Sequence, residues 1–478
     1  MPTSLFKFDN AYLKLPASFY SKTKPSTLQK AELLLFNGEL ARQLDILYTS
    51  AADFVAAIQA EDPQNPSYAQ AYAGHQFGSF TRLGDGRAVV LGEQLTADGR
   101  RFDIQVKGSG RTPYSRGGDG KATLKAMLRE YLISEAMAAL GIPTSRSLAV
   151  LKTGETVYRE TNNDGAALLR VMHSHIRVGT FQFAAFLGQP GDLEALLAYT
   201  IERLYPHLAE SENPALALFH EVMNRQIDLV VHWMRVGFIH GVMNTDNSSV
   251  SGESFDYGPC AFMNAYHPAT VYSSIDEQGR YAFGNQPNII KWNLARFAEA
   301  LLPLMAPEKE AAIALAQDAL DAFDARWQRQ YQGMMLQKLG FEPHQTMYMP
   351  LVEQLLHLME QHQLDFTNTF ASLTDITEVA PTDIAALKSW QAEWQNALAA
   401  STLTEQAKAR MLANNPAYIP RNHLVEEALQ AAAQGNLDPF NELLAVVRQP
   451  YDFKVGFKKY QEGAEPQFEE AYQTFCGT

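Results

Sequence analysis

The stretch from Phe238 to Asn247 constrains the chain more than any other segment. It reads Phe-Ile-His-Gly-Val-Met-Asn-Thr-Asp-Asn, and Asp256 follows nine residues after Asn247, directly before Tyr-Gly. An apolar lead-in, a His-Gly turn, an Asp-Asn pair and a second Asp thus come in close succession. Carboxylate and amide side chains grouped in this way indicate a loop that holds a metal ion and a nucleotide.

The spacing is that of the protein-kinase pattern H-R-D-x-x-x-x-N followed by D-F-G. In that pattern the first Asp accepts the proton of the substrate hydroxyl, and the Asn and the second Asp hold Mg²⁺. Aligned on His240 and Asn247, the first Asp falls on Val242, which accepts no proton. Both metal ligands, Asn247 and Asp256, are kept. The stretch alone leaves open whether the site is inactive or performs different chemistry.

Length and charge limit the classes of protein. The chain has 478 residues, of which 46% are hydrophobic and 19% charged, and this length exceeds what a single core usually supports. Its 39 basic and 53 acidic residues give a net charge of −14, which argues against nucleic acid or an anionic membrane as a partner. The N-terminus has no signal-peptide pattern, and no apolar run reaches the roughly 18 residues that span a bilayer. We therefore expect a cytoplasmic protein.

The two cysteines, Cys260 and Cys476, are too few for a disulfide framework or a zinc site. One interpretation is two unrelated thiols in a reducing compartment, and the other is a regulatory redox pair. The sequence leaves both open.

The first third of the chain predicts an arm followed by strands. The arm begins irregularly and is predicted to hold two short helices, around residues 27–35 and 37–44. A glycine-rich turn, Gly84-Asp-Gly86-Arg87, then enters an apolar strand. Such a turn either brings the backbone close to phosphates or forms a plain hairpin.

A strand ending at Lys107 and a long amphipathic helix over about 122–140 follow the order of the kinase β3 lysine and αC helix. Glu130 takes the place of the αC glutamate that pairs with this lysine, and Glu135 is the competing candidate. The loop between them ends in Asp119-Gly120-Lys121. It fails the P-loop pattern at two positions but can still turn backbone N–H groups toward an anion.

Residues 146–152 and 155–160 are predicted to form a hairpin around Thr153-Gly154, and residues 166–171 another strand. Arg170 and Arg177 follow closely and are suited to clamp phosphates. The His-x-His between them favours polar packing over a metal site, because catalytic zinc uses three protein ligands. Helices are predicted over residues 193–238 and, further on, over residues 292–304, 307–339, 349–362, 382–399, 404–414 and 426–434.

The chain resembles the selenoprotein O family, also called SelO or YdiU, whose members are kinase-like enzymes that AMPylate proteins. The resemblance covers essentially the whole chain, and its motifs are long and unusual. They are Phe8-Asp-Asn-Ala-Tyr, Tyr72-Ala-Gly-His-Gln-Phe-Gly, Leu83-Gly-Asp-Gly-Arg-Ala, the run from Lys107 to Gly120, Arg129-Glu-Tyr-Leu, His240-Gly-Val-Met-Asn-Thr-Asp-Asn and Asp256-Tyr-Gly-Pro.

The resemblance implies an α+β, protein-kinase-like bilobed fold that binds ATP in reverse, with the α-phosphate at the acceptor hydroxyl. AMP would pass to Ser, Thr or Tyr of a protein, self-AMPylation included, and pyrophosphate would leave. Asn247 and Asp256 would coordinate Mg²⁺ or Mn²⁺, and Asp246 would replace the missing base. Lys107 would hold phosphate and pair with Glu130. The nucleotide pocket would be lined by Gly84, Gly86, Arg87, Asp119, Gly120, Arg170 and Arg177, with the two last gripping the terminal phosphate.

We expect four regions: an N-terminal arm (1–60), a β-rich N-lobe with the αC helix (61–165), a C-lobe with the catalytic and metal loops (166–330) and a helical extension (331–478). Cys476 matches the position of a C-terminal redox residue in the family. Two alternatives remain: a non-catalytic scaffold, disfavoured by the intact metal and phosphate ligands, and a γ-phosphate kinase, disfavoured by Val242.

Overall fold

The computed structural model describes residues 5–60, 62–379, 381, 383–401 and 404–475, and within these ranges it is a mixed α/β structure with antiparallel strands. The strands are β1 (Tyr20–Lys22), β2 (Glu32–Phe36), β3 (Tyr68–Gln70), β4 (Ala73–Gln76), β5 (Ser79–Arg82), β6 (Ala88–Leu95), β7 (Arg101–Lys107), β8 (Ala122–Thr123), β9 (Arg146–Arg159), β10 (Thr161–Met172), β11 (Phe238–Ile239) and β12 (Ala261–Phe262).

Helices make up most of the remainder of the described chain. They are α1 (Gly38–Gln43), α2 (Ala51–Gln59), α3 (Leu124–Ala139), α4 (Val178–Leu187), α5 (Asp192–Leu204), α6 (Pro214–Arg235), α7 (Gln286–Met305), α8 (Lys309–Lys338), α9 (Met349–Gln361), α10 (Phe366–Ala371), α11 (Ala385–Ser401), α12 (Thr404–Asn414), α13 (Asn422–Ala433), α14 (Asp438–Val447) and α15 (Pro466–Ala471).

The main sheet has the order β1-β3-β6-β7-β10-β9-β2, with β8 added beside β10. Its central strands are buried on both faces, because α3 packs on one face and α1 and α2 cover the other. Lys107, the last residue of β7, lies between Ala88 of β6 and Leu168 of β10. The centre of the sheet therefore fixes the position of this lysine.

The predicted arm is part of this sheet. We predicted a helix around residues 27–35, and this was wrong: Glu32–Phe36 is the edge strand β2, with Leu33 opposite Leu151 and Leu35 opposite Val150. Leucine favours helices locally, but pairing with β9 buries these side chains and overrides that preference.

The predicted hairpin around Thr153-Gly154 was also wrong. β9 continues through both residues to Arg159, and the chain turns at Glu160 into β10. Gly154 has a φ of +71°, and the register between β9 and β10 shifts opposite it. This glycine therefore marks an irregularity within a long hairpin, which ordinary turn statistics misplace.

The helical part begins with α4 and is built around α6, α7 and α8, which pack against one another. The helix predicted over residues 193–238 is two helices, α5 and α6, and the six later helical predictions correspond to α7, α8, α9, α11, α12 and α13. The predicted start of one of them at Thr382 lies outside the described residues. Nowhere in the described part of the chain does a helix combine the length and apolarity needed to cross a membrane.

Two helices from the C-terminal region pack against α3, the helix that covers one face of the sheet. α13 and α14 pack on α3, and Glu135 of α3 accepts hydrogen bonds from Arg146 of β9 at 2.9 Å and from Arg448 after α14 at 3.1 Å. The helix that carries Glu130 is thus held from two sides.

Candidate active site

Lys107 and Glu130 form the buried ion pair at the centre of the site. Lys107 Nζ donates to Glu130 Oε2 at 2.6 Å, and both side chains are almost inaccessible to solvent. Glu135, the competing candidate, lies on the side of α3 that faces Arg146 and Arg448. The structure therefore brings Glu130, and not Glu135, to the lysine.

Arg170 and Asp256 complete a four-residue ion cluster around this pair. Arg170 contacts Glu130 at 3.2 Å and Asp256 at 3.4 Å, and Lys107 also donates to Asp256. Burial alone would raise the pKa of Asp256, but Lys107, Arg170 and Arg87 lower it well below its usual value. Asp256 is therefore a carboxylate, and its φ of +69° is a conformation that non-glycine residues rarely adopt.

Hydrogen bonds to backbone carbonyls hold the side chains of His240 and Asn247 in place. His240 Nε2 lies 2.9 Å from the carbonyl of Phe255, and burial lowers the pKa of this histidine. The neutral ring joins the loop to the segment that carries Asp256. Asn247 Nδ2 donates to the carbonyl of Val242 at 3.0 Å, which leaves Asn247 Oδ1 as the atom available to a ligand.

Asp246 is buried next to this asparagine. Its Oδ1 atom has no hydrogen-bond partner among the described residues. Burial raises the pKa of Asp246 to about 6, and Arg177 opposes the rise. A Cβ atom on Gly74 would lie 2.2 Å from Asp246 Oδ1, and one on Gly179 would lie 1.9 Å from the carbonyl oxygen of Ala73. The absence of a side chain at Gly74 therefore leaves the space that the carboxylate occupies, and Gly179 allows β4 to pack closely against α4 beside it.

Arg177 links Asp246 to the sheet. Its Nη1 donates to the Asp246 carbonyl at 3.1 Å, and its Nη2 lies 3.5 Å from Asp85 Oδ1. The guanidinium stacks 3.9 Å above the Tyr72 ring and lies 5.1 Å from the Phe255 ring. The guanidinium of Arg170 lies 5.3 Å from the same Phe255 ring, so one aromatic ring contacts both arginines.

The two glycine-rich segments, residues 84–87 and 108–120, pack against each other beside Lys107. Gly84 and Gly86 lie against Tyr114 of the second segment, and the Gly108 N–H donates to the Arg87 carbonyl at 2.8 Å. Gly120 has a φ of +69°, and an added Cβ would lie 2.1 Å from the Gly110 carbonyl oxygen.

Asp119 pairs with an arginine of β9 and not with the ion cluster. It accepts two 2.9 Å hydrogen bonds from Arg159, and this contact lowers its pKa to about 2. These bonds fasten the loop to β9 and do not reach the ion cluster.

The donor set at Asn247 and Asp256 fits a hard divalent cation. One amide oxygen and one carboxylate are ligands of the kind that Mg²⁺ takes from a protein when substrate phosphates and water complete its shell. The described residues contain no group of three His, Cys, Asp or Glu side chains that could hold a metal by themselves. A cation at Asn247 and Asp256 would take its remaining ligands from water or phosphate oxygens.

Sequence reasoning missed the residues that orient the arginines. Asp85 is buried and accepts hydrogen bonds from the Gln70 N–H at 3.0 Å and from Gln105 at 3.2 Å. Gln105 in turn accepts from Arg170 at 2.5 Å. The one sequence signal for such a role was that a charged residue, Asp85, stands between Gly84 and Gly86, although the turn itself does not require a charge.

Cys260 is fully buried four residues after Asp256, and burial raises the pKa of its thiol to about 11. Cys476 lies outside the described residues. The nearest described part of the tail is anchored beside Cys260, because Thr474 Oγ1 donates to the Pro259 carbonyl at 2.6 Å. A disulfide between the two cysteines stays a prediction.

Buried cations beside an amide oxygen and a carboxylate are the kind of arrangement by which nucleotide-using transferases hold phosphates. The family model described as "Protein adenylyltransferase SelO" matches residues 2–448. Proteins named "Protein nucleotidyltransferase YdiU" are similar along their whole length: 50% identical in Shouchella clausii, with 99% of both chains covered, and 49% identical in Alcanivorax borkumensis, with 100% of both covered. That of Geobacillus kaustophilus is 51% identical over 99% of both chains. The chain belongs to the SelO family of protein adenylyltransferases, and it is a nucleotidyltransferase.

Proposed function

We propose that the chain has a bilobed, protein-kinase-like fold and transfers AMP from ATP to Ser, Thr or Tyr hydroxyls of proteins. The sheet with α3 is the N-lobe, and the helical part from α4 onward is the C-lobe. ATP binds between them in reverse, with its terminal phosphate at Arg170 and Arg177. Substrates are cellular proteins and the enzyme itself.

One observation supports the reversed orientation of ATP. Two buried arginines lie where the chain passes from the sheet to the helices: Arg170 near the end of β10 and Arg177 directly before α4. Arg170 is 3% and Arg177 2% exposed. Guanidinium groups suit phosphate, to which they donate in pairs, whereas a nucleotide base needs a mainly apolar slot. The chemistry of these two side chains supports a phosphate, and not the base, at this end of the sheet.

The reaction follows from this placement. The acceptor oxygen attacks the α-phosphorus, the bond from the α-phosphorus to the bridging oxygen breaks, and pyrophosphate leaves. Asp246 orients the acceptor hydroxyl and takes its proton. Lys107 and Arg170 stabilise charge on the phosphates. Mg²⁺ or Mn²⁺, held by Asn247 and Asp256, supplies charge neutralisation at the phosphates when bound.

Asp246 can take over the role lost at Val242 because it lies beside a metal ligand on the same loop. With a divalent cation held at Asn247 and Asp256, the pKa of the Asp246 carboxylate would be lowered and the group would stay ionised, so that Asp246 would align a hydroxyl more than act as a strong base.

Two labelled forms of ATP test the proposal. Purified protein is incubated with Mn²⁺ or Mg²⁺, a cell lysate and ATP labelled on either the α- or the γ-phosphate, and labelled proteins are mapped by mass spectrometry. We expect α-label and an AMP adduct on hydroxyl side chains, with the γ-label released as pyrophosphate. Label transferred only from the γ-position would identify a kinase instead and would sink the proposal.

A further inference from the structure

The β4–β5 hairpin is fixed to the loop that carries Asp246. His75 N–H donates to Thr245 Oγ1 at 2.7 Å, and Phe77 N–H donates to Asn244 Oδ1 at 3.1 Å. Gly74 of β4 lies against the Asp246 carboxylate. A molecule that binds the outside of this hairpin is therefore held at a defined distance from Asp246.

The outer strand of the hairpin has a free edge. β5 pairs only with β4 in the described part of the chain, and Ser79, Phe80 and Arg82 are exposed. An exposed edge presents unpaired N–H and C=O groups, and an extended peptide can add to it as a further strand.

A continuous strip of rings runs across this surface, which we call the aromatic strip. Phe186 lies 5.3 Å from Phe80, Phe80 lies 5.3 Å from His75, and His75 lies 5.2 Å from Trp292, measured between ring centroids. Phe186 is 57% and Phe80 39% exposed. Single exposed apolar residues are ordinary, but contiguous ones beside a catalytic loop indicate an interaction surface.

Arginines lie at both ends of the aromatic strip. The guanidinium of Arg82 lies 5.9 Å from the Phe186 ring, and those of Arg280 and Arg296 lie 4.9 and 5.0 Å from the Trp292 ring. Arg296 pairs with Glu299, whereas Arg82 and Arg280 form no ion pair with the described residues. This surface is locally cationic on a chain with a net charge of −14, so it complements an acidic partner.

We propose that the aromatic strip and the edge of β5 dock an extended, acidic segment of the acceptor protein that also carries an apolar side chain. The segment's backbone pairs with β5, its apolar side chain packs on Phe80 and Phe186, and its carboxylates face Arg82 and Arg280. This inference rests on the proposed function and names the kind of acceptor segment that the site selects.

Positional-scanning peptides test the inference. Each peptide carries a central Ser, Thr or Tyr and one fixed residue at each flanking position, and transfer from α-labelled ATP is measured for the wild type, Arg82→Glu and Phe186→Ser. Arg42→Glu and Tyr158→Ser are matched controls, because both residues are strongly exposed away from the hairpin. Melting temperature and the KM for ATP verify that each variant is folded and binds nucleotide.

We expect the wild type to prefer Asp or Glu together with an apolar residue at flanking positions. Arg82→Glu should reverse the charge preference toward Lys and Arg, and Phe186→Ser should raise the peptide KM at least tenfold, while both controls keep the wild-type profile. Equal labelling of acidic and basic peptides, or an unchanged profile in Arg82→Glu, would overturn the inference.

Two further outcomes distinguish the docking of acceptors from a loss of AMP transfer and from self-association. Absence of α-label on every peptide and on the enzyme itself would contradict the proposed function, whereas label without sequence preference contradicts only the docking surface. A wild-type dimer that Arg82→Glu converts to a monomer, in sedimentation measurements, would assign the strip to a second copy of the chain and overturn the docking of acceptors.

Discussion

At the scale of single residues, Asp246 is the position on which the proposed chemistry depends most. The kinase-like spacing places Val242 where the usual base stands, and the family resemblance implies that Asp246 replaces that base. The structure adds that Asp246 is buried, that its Oδ1 has no hydrogen-bond partner among the described residues, and that Gly74 packs against its carboxylate. A buried carboxylate with an unpartnered oxygen is costly to the fold, and such groups concentrate at catalytic sites.

Replacing Asp246 by Ala should lower kcat for AMP transfer by about 10²- to 10⁴-fold, the usual contribution of a positioned acid or base. ATP binding should be largely retained, because the proposed phosphate ligands Lys107, Arg170 and Arg177 are unchanged. Transfer of α-label and calorimetric ATP titration measure the two quantities. Asp383→Ala, at an exposed carboxylate, is the control, and full activity of Asp246→Ala would remove the proposed mechanism.

Gly74→Ala tests the position of the carboxylate without removing it. The new methyl group would lie 2.2 Å from Asp246 Oδ1 and must displace it, and a shift of about 1 Å can cost about 10²-fold in rate. We expect a large fall in kcat with an unchanged affinity for ATP. In the control Gly38→Ala the nearest atom is 3.9 Å away, so activity should stay at the wild-type level. Equal activities of the two variants would argue against close packing at Asp246.

At the scale of elements, the sequence predicts α3 well and the edges of the sheet poorly. The spacing of Met127, Leu128 and Tyr131 placed the helix correctly, since one of its faces is apolar. β2 could not be predicted in the same way, because its strand form comes from pairing with β9, which is more than 100 residues away. The sequence favoured Glu130 over Glu135, and the structure confirms the choice: Lys107 contacts Glu130, whereas Glu135 contacts Arg146 and Arg448.

The second glutamate of α3 should make stability depend on pH. Burial raises the pKa of Glu135, but Arg146 and Arg448 outweigh it and hold the pKa below its usual value. A lowered pKa stabilises the folded state above the pKa of the unfolded chain, about 4.3 for Glu, and the stabilisation is lost as the pH falls through the folded-state value.

Glu135→Gln should therefore destabilise the protein at pH 7, on the order of 2 kcal/mol for charge-assisted hydrogen bonds, and less near pH 4. Melting temperatures of wild type and variant, recorded at both pH values, measure the difference. An equal difference at pH 7 and pH 4 would show that the charge of Glu135 is not what stabilises α3.

At the scale of the whole molecule, one buried arginine connects distant segments of the predicted helical extension (331–478) with each other and with Asn264 outside it. Arg421 is 1% exposed. It donates to Asp365 at 2.6 Å, to Asn264 at 2.7 Å and to the Gln461 carbonyl at 2.6 Å. The composition and helical periodicity predicted a helical extension, but they contained no sign of this contact, since the residues it joins lie far apart in the sequence.

Arg421→Met should lower the stability of the whole chain as one unit. Breaking a buried ion pair costs about 3–5 kcal/mol, and the partial exposure of Asp365 places the expected loss at the lower end. Calorimetry should show one transition at a lower temperature, whereas Lys388→Met, at an exposed pair, should change little. A separate transition for the extension, with transfer activity intact, would contradict cooperative folding.

A structure of the protein with a bound ATP analogue tests the reversed orientation of ATP most directly. The protein would be crystallised with Mn²⁺ and an ATP analogue whose α–β bridge is a methylene group, which prevents loss of pyrophosphate. We predict the terminal phosphate within ion-pair distance of Arg170 and Arg177, and the α-phosphorus beside Asp246. Adenine at the two arginines, with the γ-phosphate beside Asp246, would contradict the reversed orientation.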